Sequence, residues 1–215
     1  MKLQFIEDIE RDIKNWQNSV AAKSYGVDWK KFLPEDISME RLRNKKYLKN
    51  YLERKFYRPG KVSKFKKWLG RTVNSLQLQK DLEILMGKKF PPKSVKVFIT
   101  TFHRAPYDVE KNFFYLILRD SNKKRVITNI YHELMHFLFH WHYWDVCKKV
   151  GLSEAQVHNL KESLTVLLNP ILEQRGLPLD SGYPSHQRIR AKFKKIWQNR
   201  KNFDLLLKQA IKILK

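Results

Sequence analysis

The stretch Val126-Ile127-Thr128-Asn129-Ile130-Tyr131-His132-Glu133-Leu134-Met135-His136-Phe137-Leu138-Phe139 decides how the rest of the chain is read. Apolar residues recur along it at helical spacing and no residue in it breaks a helix, which is expected to run to about Trp144. On a helix, positions four apart differ by about 40° in azimuth and lie roughly 6 Å apart along the axis. His132 and His136 therefore project side by side and can share one ion, and imidazole nitrogen suits zinc. Glu133 lies one residue round the helix, near enough to take a proton from a water that the ion activates. Ligands and general base for metal-assisted hydrolysis thus fall within five residues. Leu134, Met135, Phe137, Leu138 and Phe139 mark the helix as buried. A glutamate between two histidines on a buried helix is costly unless its charge is compensated. A bound zinc ion supplies that compensation; two histidines stacked by chance do not.

A catalytic zinc usually has three protein ligands and one open position. His140 is eight residues after His132 and roughly 12 Å along the axis, too far for one tetrahedral ion. His142, ten residues after His132, has the spacing of the third ligand in metzincins. Phe139 stands where that pattern needs a glycine to turn the chain back, and no methionine follows Met135 to make the methionine turn. Glu162 is the preferred third ligand. Its helix, capped by Ser153 with Glu154 in the first turn and expected to end at Asn169 before Pro170, has an apolar face of Val157, Leu160, Leu164, Leu167 and Leu168. His158, Asn159, Glu162, Thr165 and Asn169 form a polar stripe on it. The short Asn and Thr side chains suit the orientation of a metal ligand better than a solvated face does. Asp180, then Glu173 and Asp145, are the alternatives.

With this arrangement the chain resembles the zincin metallopeptidases, and within them the gluzincin group, in which a glutamate on the following helix is the third ligand. The match covers about 45 residues around His132 to Asn169. Lys161 before the glutamate and Val166 in place of a later aspartate depart from the group's pattern. The resemblance implies an α+β, predominantly helical fold with a small sheet above the metal helix. An edge strand of that sheet, either Val95 to Phe102 or Phe113 to Leu118, holds an extended peptide by backbone pairing. It also implies a helper that stabilises the oxyanion, for which Tyr183, His186 and Arg190 in and after the loop 175–184 are candidates.

Upstream, helix signals dominate. Leu3, Ile6, Ile9, Ile13, Trp16 and Val20 recur at helical spacing. A second helix is expected from about Glu35 to Phe56, broken by Pro59 and Gly60, and a third from Ser63 to Gly87. Pro91 and Pro92 mark a change to the two β-branched, aromatic strands. An N-terminal helical region 1–90 and a metal-binding region 91–215 follow from this. Short helices over Ser185 to Gln198 and Phe203 to Leu214 close the chain.

With 42% hydrophobic residues the chain is expected to bury a core. It has no apolar run of the ~20 residues a membrane span needs and no signal-peptide pattern. The one cysteine, Cys147, forms no intrachain disulfide, which suits a reducing cytoplasm. The net charge of +23 attracts polyanions. Residues 41–71 hold thirteen Lys or Arg and one acidic residue, with Tyr47, Tyr51, Phe56, Tyr57, Phe65 and Trp68 interleaved. Such a segment either grips phosphates and stacks bases, or is a solvated lysine face over core aromatics. Two functions are therefore carried forward. One is a cytoplasmic zinc peptidase acting on peptides or proteins. The other is a basic nucleic-acid-associated protein with a structural or vestigial metal site. SprT-like proteases join this motif to DNA binding.

Overall fold

The computed structural model of the chain describes residues 1–24, 27–91, 93–119 and 121–215. Pro92, expected to help mark the change from helix to strand, lies outside the described residues. The fold is α+β and predominantly helical with a small mixed sheet, as the sequence indicates. The chain divides into two compact units, residues 2–73 with 94–122, and residues 74–93 with 123–215 plus Met1. The chain crosses between them four times, at 1/2, 73/74, 93/94 and 122/123.

The first unit holds the sheet, ordered β1 (Lys2–Ile6), β4 (Ser94–Thr100), β6 (Phe113–Ile117) and β5 (Tyr107–Asp108). A minor ladder pairs β2 (Lys23–Ser24) with β3 (Val27–Asp28). The β1–β4 and β4–β6 pairs are parallel and β5–β6 is antiparallel. Lys2 to Ile6 are therefore a strand, and the helical reading of the N-terminus holds only from α1 (Ile9–Ser19), where Asp8 caps the Arg11 amide at 3.0 Å. Leu3 and Ile6 suit a helix while Leu3 and Phe5 suit a strand; six residues carry too few apolar positions to choose. The expectation that Val95 to Phe102 or Phe113 to Leu118 is an edge strand is also corrected. β4 and β6 are the inner strands, because β1 and β5 cover their outer sides. Buried neighbours at Val97, Phe98 and Ile99, and at Phe114, Tyr115 and Leu116, show both sheet faces covered.

The helix expected over 35–56 is two helices, α2 (Met39–Arg43) and α3 (Lys45–Leu52), followed by a π turn over Glu53–Tyr57. Asn44 separates them with extended backbone, and its side chain accepts the Tyr47 amide at 3.0 Å. The helix expected over 63–87 is likewise α4 (Lys61–Thr72) and α5 (Ser75–Met86), divided at Asn74, which caps Gln77. Helix α4 begins after Gly60 rather than at Ser63.

Tyr51 lies in a core cluster with Ile13, Trp16, Leu42, Leu48 and Leu52, and Tyr47, Phe56 and Tyr57 pack against it. Phe65 is buried, while Arg54, Lys55, Arg58, Lys61, Lys64 and Lys67 are exposed. The interleaved aromatics of the basic segment are thus largely spent on packing, which is the solvated-face alternative. No helix among the described residues is long and apolar enough to cross a membrane.

The second unit is helical. It contains α5, α6 (Lys123–Phe139), a π turn over His140–Trp144, α7 (Asp145–Lys149), α8 (Glu154–Leu164), a 3-10 turn (Thr165–Leu168), α9 (Asn169–Gln174), α10 (Gln187–Arg200) and α11 (Phe203–Leu214). Ser153 caps α8 in a reciprocal box with Gln156. Pro170 does not end the segment; it sits in the first turn of α9, where its missing N–H costs nothing.

Candidate metal centre

Helix α6 carries Ile130, Tyr131, Leu134, Met135, Phe137 and Leu138 into the core of its unit, all at most 1% exposed. That burial leaves His132, Glu133 and His136 on the remaining stripe. The His132 and His136 rings lie 4.2 Å apart between centroids at 72°. Helix α8 brings Glu162 to them. Its Oε1 is 3.2 Å from His136 Nε2 and its Oε2 is 3.5 Å from His132 Nε2. One ligand atom from each of the three residues lies within 4.8 Å of the others.

A group this close could hold a metal ion. Ligand atoms at about 2.1 Å from a tetrahedral centre stand roughly 3.4 Å from one another. Two imidazoles and a carboxylate are a donor set that zinc accepts, and three ligands leave a fourth position of a tetrahedron open. Glu133 Oε2 is buried without a hydrogen-bond partner among the described residues. A buried carboxylate oxygen left in that state is expensive unless a ligand or a proton uses it.

The second nitrogen of His132 completes the arrangement. Nδ1 lies 2.7 Å from Asp180 Oδ2, so Nδ1 carries the proton toward the carboxylate and Nε2 faces Glu162. Asp180 is itself held on all sides. Arg190 Nη2 donates to Oδ1 at 2.9 Å and to the backbone carbonyl at 2.6 Å. Thr165 Oγ1 lies 2.9 Å from Oδ1, and Asn169 Oδ1 accepts the Asp180 amide at 2.8 Å. The segment before it is laid along α6 by two further bonds. Thr128 Oγ1 donates to the Pro178 carbonyl at 2.8 Å, and Arg125 Nη1 to the Leu179 carbonyl at 2.5 Å.

Electrostatics follow from this packing. Burial pushes His132 down, but Asp180, Glu162 and Glu133 outweigh it and raise the ring to about 10. Burial lowers His136 to about 3. Burial pushes Glu133 up to about 7, although His132 and Lys161 pull against it. Burial also acts to raise Glu162 and Asp180. His136, His132 and Lys161 nevertheless hold Glu162, and His132 and Arg190 hold Asp180, well below the usual carboxylate range.

Of the residues singled out from sequence, His132, His136 and Glu162 come together, with Glu133 beside His132 on the same helix. Asp180 joins them on the outer side of His132 rather than in the ligand group. Thr165 and Asn169 of the polar stripe contact Asp180, so they orient the ligand through one intermediate. His142 turns to the Lys89 carbonyl at 2.7 Å, and Glu173 and Asp145 are exposed. Arg190, read as an oxyanion helper, is buried with its guanidinium on Asp180, Thr165 and the Glu162 carbonyl. His186 is buried with Nε2 3.3 Å from Asn159 Oδ1, and the Tyr183 ring is 5.6 Å from its ring. Burial holds His186 below its ordinary range, which disfavours the charged form of an oxyanion donor.

The chain matches no protein-family model, no curated protein and no solved structure. The reading of the centre therefore rests on its own geometry. Sequence reasoning missed two features. Lys161 is buried with Nζ 2.9 Å from Glu162 Oε1. Gly182 has φ +60°, and a Cβ on it would run into the Arg190 guanidinium. A glycine two residues after the only loop aspartate was a usable signal for the second; a lysine inside a helix gave none for the first.

Proposed function

We propose that this protein is a zinc-dependent hydrolase, in the first instance a peptidase. The observation that carries the proposal is the convergence of His132, His136 and Glu162 from two helices, with Glu133 adjacent. His132, His136 and Glu162 would hold the ion, and Asp180 would fix the His132 ring. A bound zinc ion polarises a carbonyl and lowers the pKa of water toward neutrality. Glu133 would accept a proton from the attacking water and pass it to the leaving amine. The donor set is shared by hydrolases of other substrates, and a peptide is favoured because the spacing of His132, Glu133 and His136 is that of the zincins.

Two measurements test it. Elemental analysis of the purified chain should find about one zinc per chain in the wild type and none in His132→Ala. A wild type free of zinc, manganese and iron refutes the site. Glu133→Gln should keep the metal and lose hydrolysis of a mixed peptide library by at least about 100-fold. Retained activity in that variant refutes the role of Glu133.

A further inference from the structure

Lys161 precedes Glu162 on α8. Neighbours in sequence stand about 100° apart around a helix and do not face one another. The Lys161 side chain nevertheless folds back so that Nζ lies 2.9 Å from Glu162 Oε1, with 1% of the side chain exposed. Glu162 Oε1 is thus shared between an ammonium and the imidazole of His136, 3.2 Å away. Taking a lysine out of water to this degree is unfavourable unless its charge is matched. The match is the same carboxylate that the zinc reading assigns as third ligand.

Arg190 makes a useful contrast. It too is a buried cation on a carboxylate, but its partner Asp180 meets His132 from the outer nitrogen, so Arg190 and an ion do not contend for one group. Lys161 and an ion do contend. An arriving dication meets a like charge at the ligand it must share, and like charges a few ångströms apart at low dielectric repel strongly. Without the ion, the ammonium shares with the His132 and His136 rings the task of compensating the buried Glu162 charge.

We infer that Lys161 is a built-in counter-ion that stands in for the metal's charge at Glu162 and sets how tightly the centre holds its ion. This rests on the zinc reading above. Lys161 is a positioning residue, acting through Glu162. Both consequences of removing its charge act in one direction. The ion-free protein loses part of its compensation, and the ion-bound protein loses a repulsion. A neutral residue at 161 therefore strengthens metal binding, which a lysine serving only to support the ligand would not do.

The experiment compares the full-length wild type with Lys161→Met, Lys161→Gln and Lys161→Arg. Zinc affinity is read by competition with a chromophoric chelator, and cobalt(II) absorption reports the ligand geometry. Lys161→Met and Lys161→Gln are expected to bind zinc at least about tenfold more tightly than wild type. Lys161→Arg, which keeps the charge, should stay within about threefold of it. The melting temperature of ion-free Lys161→Met should fall, and zinc should raise it by more than it raises the wild type's. Unchanged or weaker zinc binding in both neutral variants, with the wild type binding normally, overturns the inference alone. Absence of zinc binding in the wild type and every variant overturns the metal reading together with it.

Discussion

His132 Nδ1 and Asp180 Oδ2 are 2.7 Å apart, and this contact joins a helix to a loop 48 residues further along the chain. It fixes which nitrogen of His132 faces Glu162, and so turns a pair of histidines into an oriented donor set. Partners of this kind typically contribute 10–100-fold to metal affinity.

Asp180→Asn should therefore weaken zinc binding by about 10–100-fold while leaving the fold intact. The amide keeps a similar shape but removes the charge and turns an NH₂ toward either His132 or Arg190. Titration against a chromophoric chelator reads the change. An unaltered affinity shows that His132 is oriented without Asp180.

Gly182 acts on the same contact from further out. A Cβ there would lie 2.6 to 2.8 Å from Nη1, Cζ and Nε of Arg190, on a backbone at φ +60°. Gly182→Ala must displace the guanidinium and strain the backbone, at a cost of about 1–3 kcal/mol. Chemical denaturation of the ion-free protein should show that loss, and zinc affinity should fall because Asp180 loses its anchor. A variant as stable as wild type means that the loop shifts as a whole.

Tyr131, the residue before His132, donates to Asp81 Oδ2 at 2.6 Å, and Arg175 Nε and Nη2 donate to the same carboxylate at 2.7 and 2.8 Å. Burial pushes Asp81 up, but Arg175, Tyr131 and Gln77 outweigh it and hold the carboxyl below its ordinary range. A carboxylate depressed in the fold stabilises above its unfolded pKa, about 3.9, and that contribution disappears as pH falls through the folded value. Asp81→Asn should cost about 1–3 kcal/mol at pH 7, with the difference from wild type shrinking below about pH 4. Urea melts at pH 7, 4 and 2.5 measure it. A difference that is constant across these pH values separates the Asp81 effect from its charge.

The parts of this centre that the sequence discloses are those fixed by helix geometry. His132, Glu133 and His136 are tied by a four-residue period, and Glu162 shares a stripe with Thr165 and Asn169 that chance and solvation explain poorly. The parts it conceals depend on chain path. Asp180 can be a ligand or a ligand's partner, and only the course of residues 177–183 along α6 decides between them. Single asparagines at 44 and 74 end helices within apolar patterns that read as continuous, because a side-chain cap competes with one more turn of helix at nearly equal cost. The strand at Lys2 to Ile6 is set by pairing with residues 94 to 98, a partner invisible to any local window.

Thr165 shows how closely the supporting groups are coupled. Its hydroxyl accepts Arg190 Nη1 at 2.7 Å and has one hydrogen to offer, to the Glu162 carbonyl at 2.8 Å or to Asp180 Oδ1 at 2.9 Å. It therefore stands between the helix that carries the third ligand and the loop that orients the first. Thr165→Val keeps the shape, removes the hydroxyl and leaves a buried guanidinium N–H and a buried carboxylate oxygen each short of a partner. The expected cost is about 1–3 kcal/mol in denaturant unfolding, with a lower zinc affinity. Thr165→Ser keeps the hydroxyl and should restore affinity even where the lost methyl group lowers stability. Equal zinc affinity in the valine and serine variants is the outcome that removes Thr165 from the network and reduces it to packing.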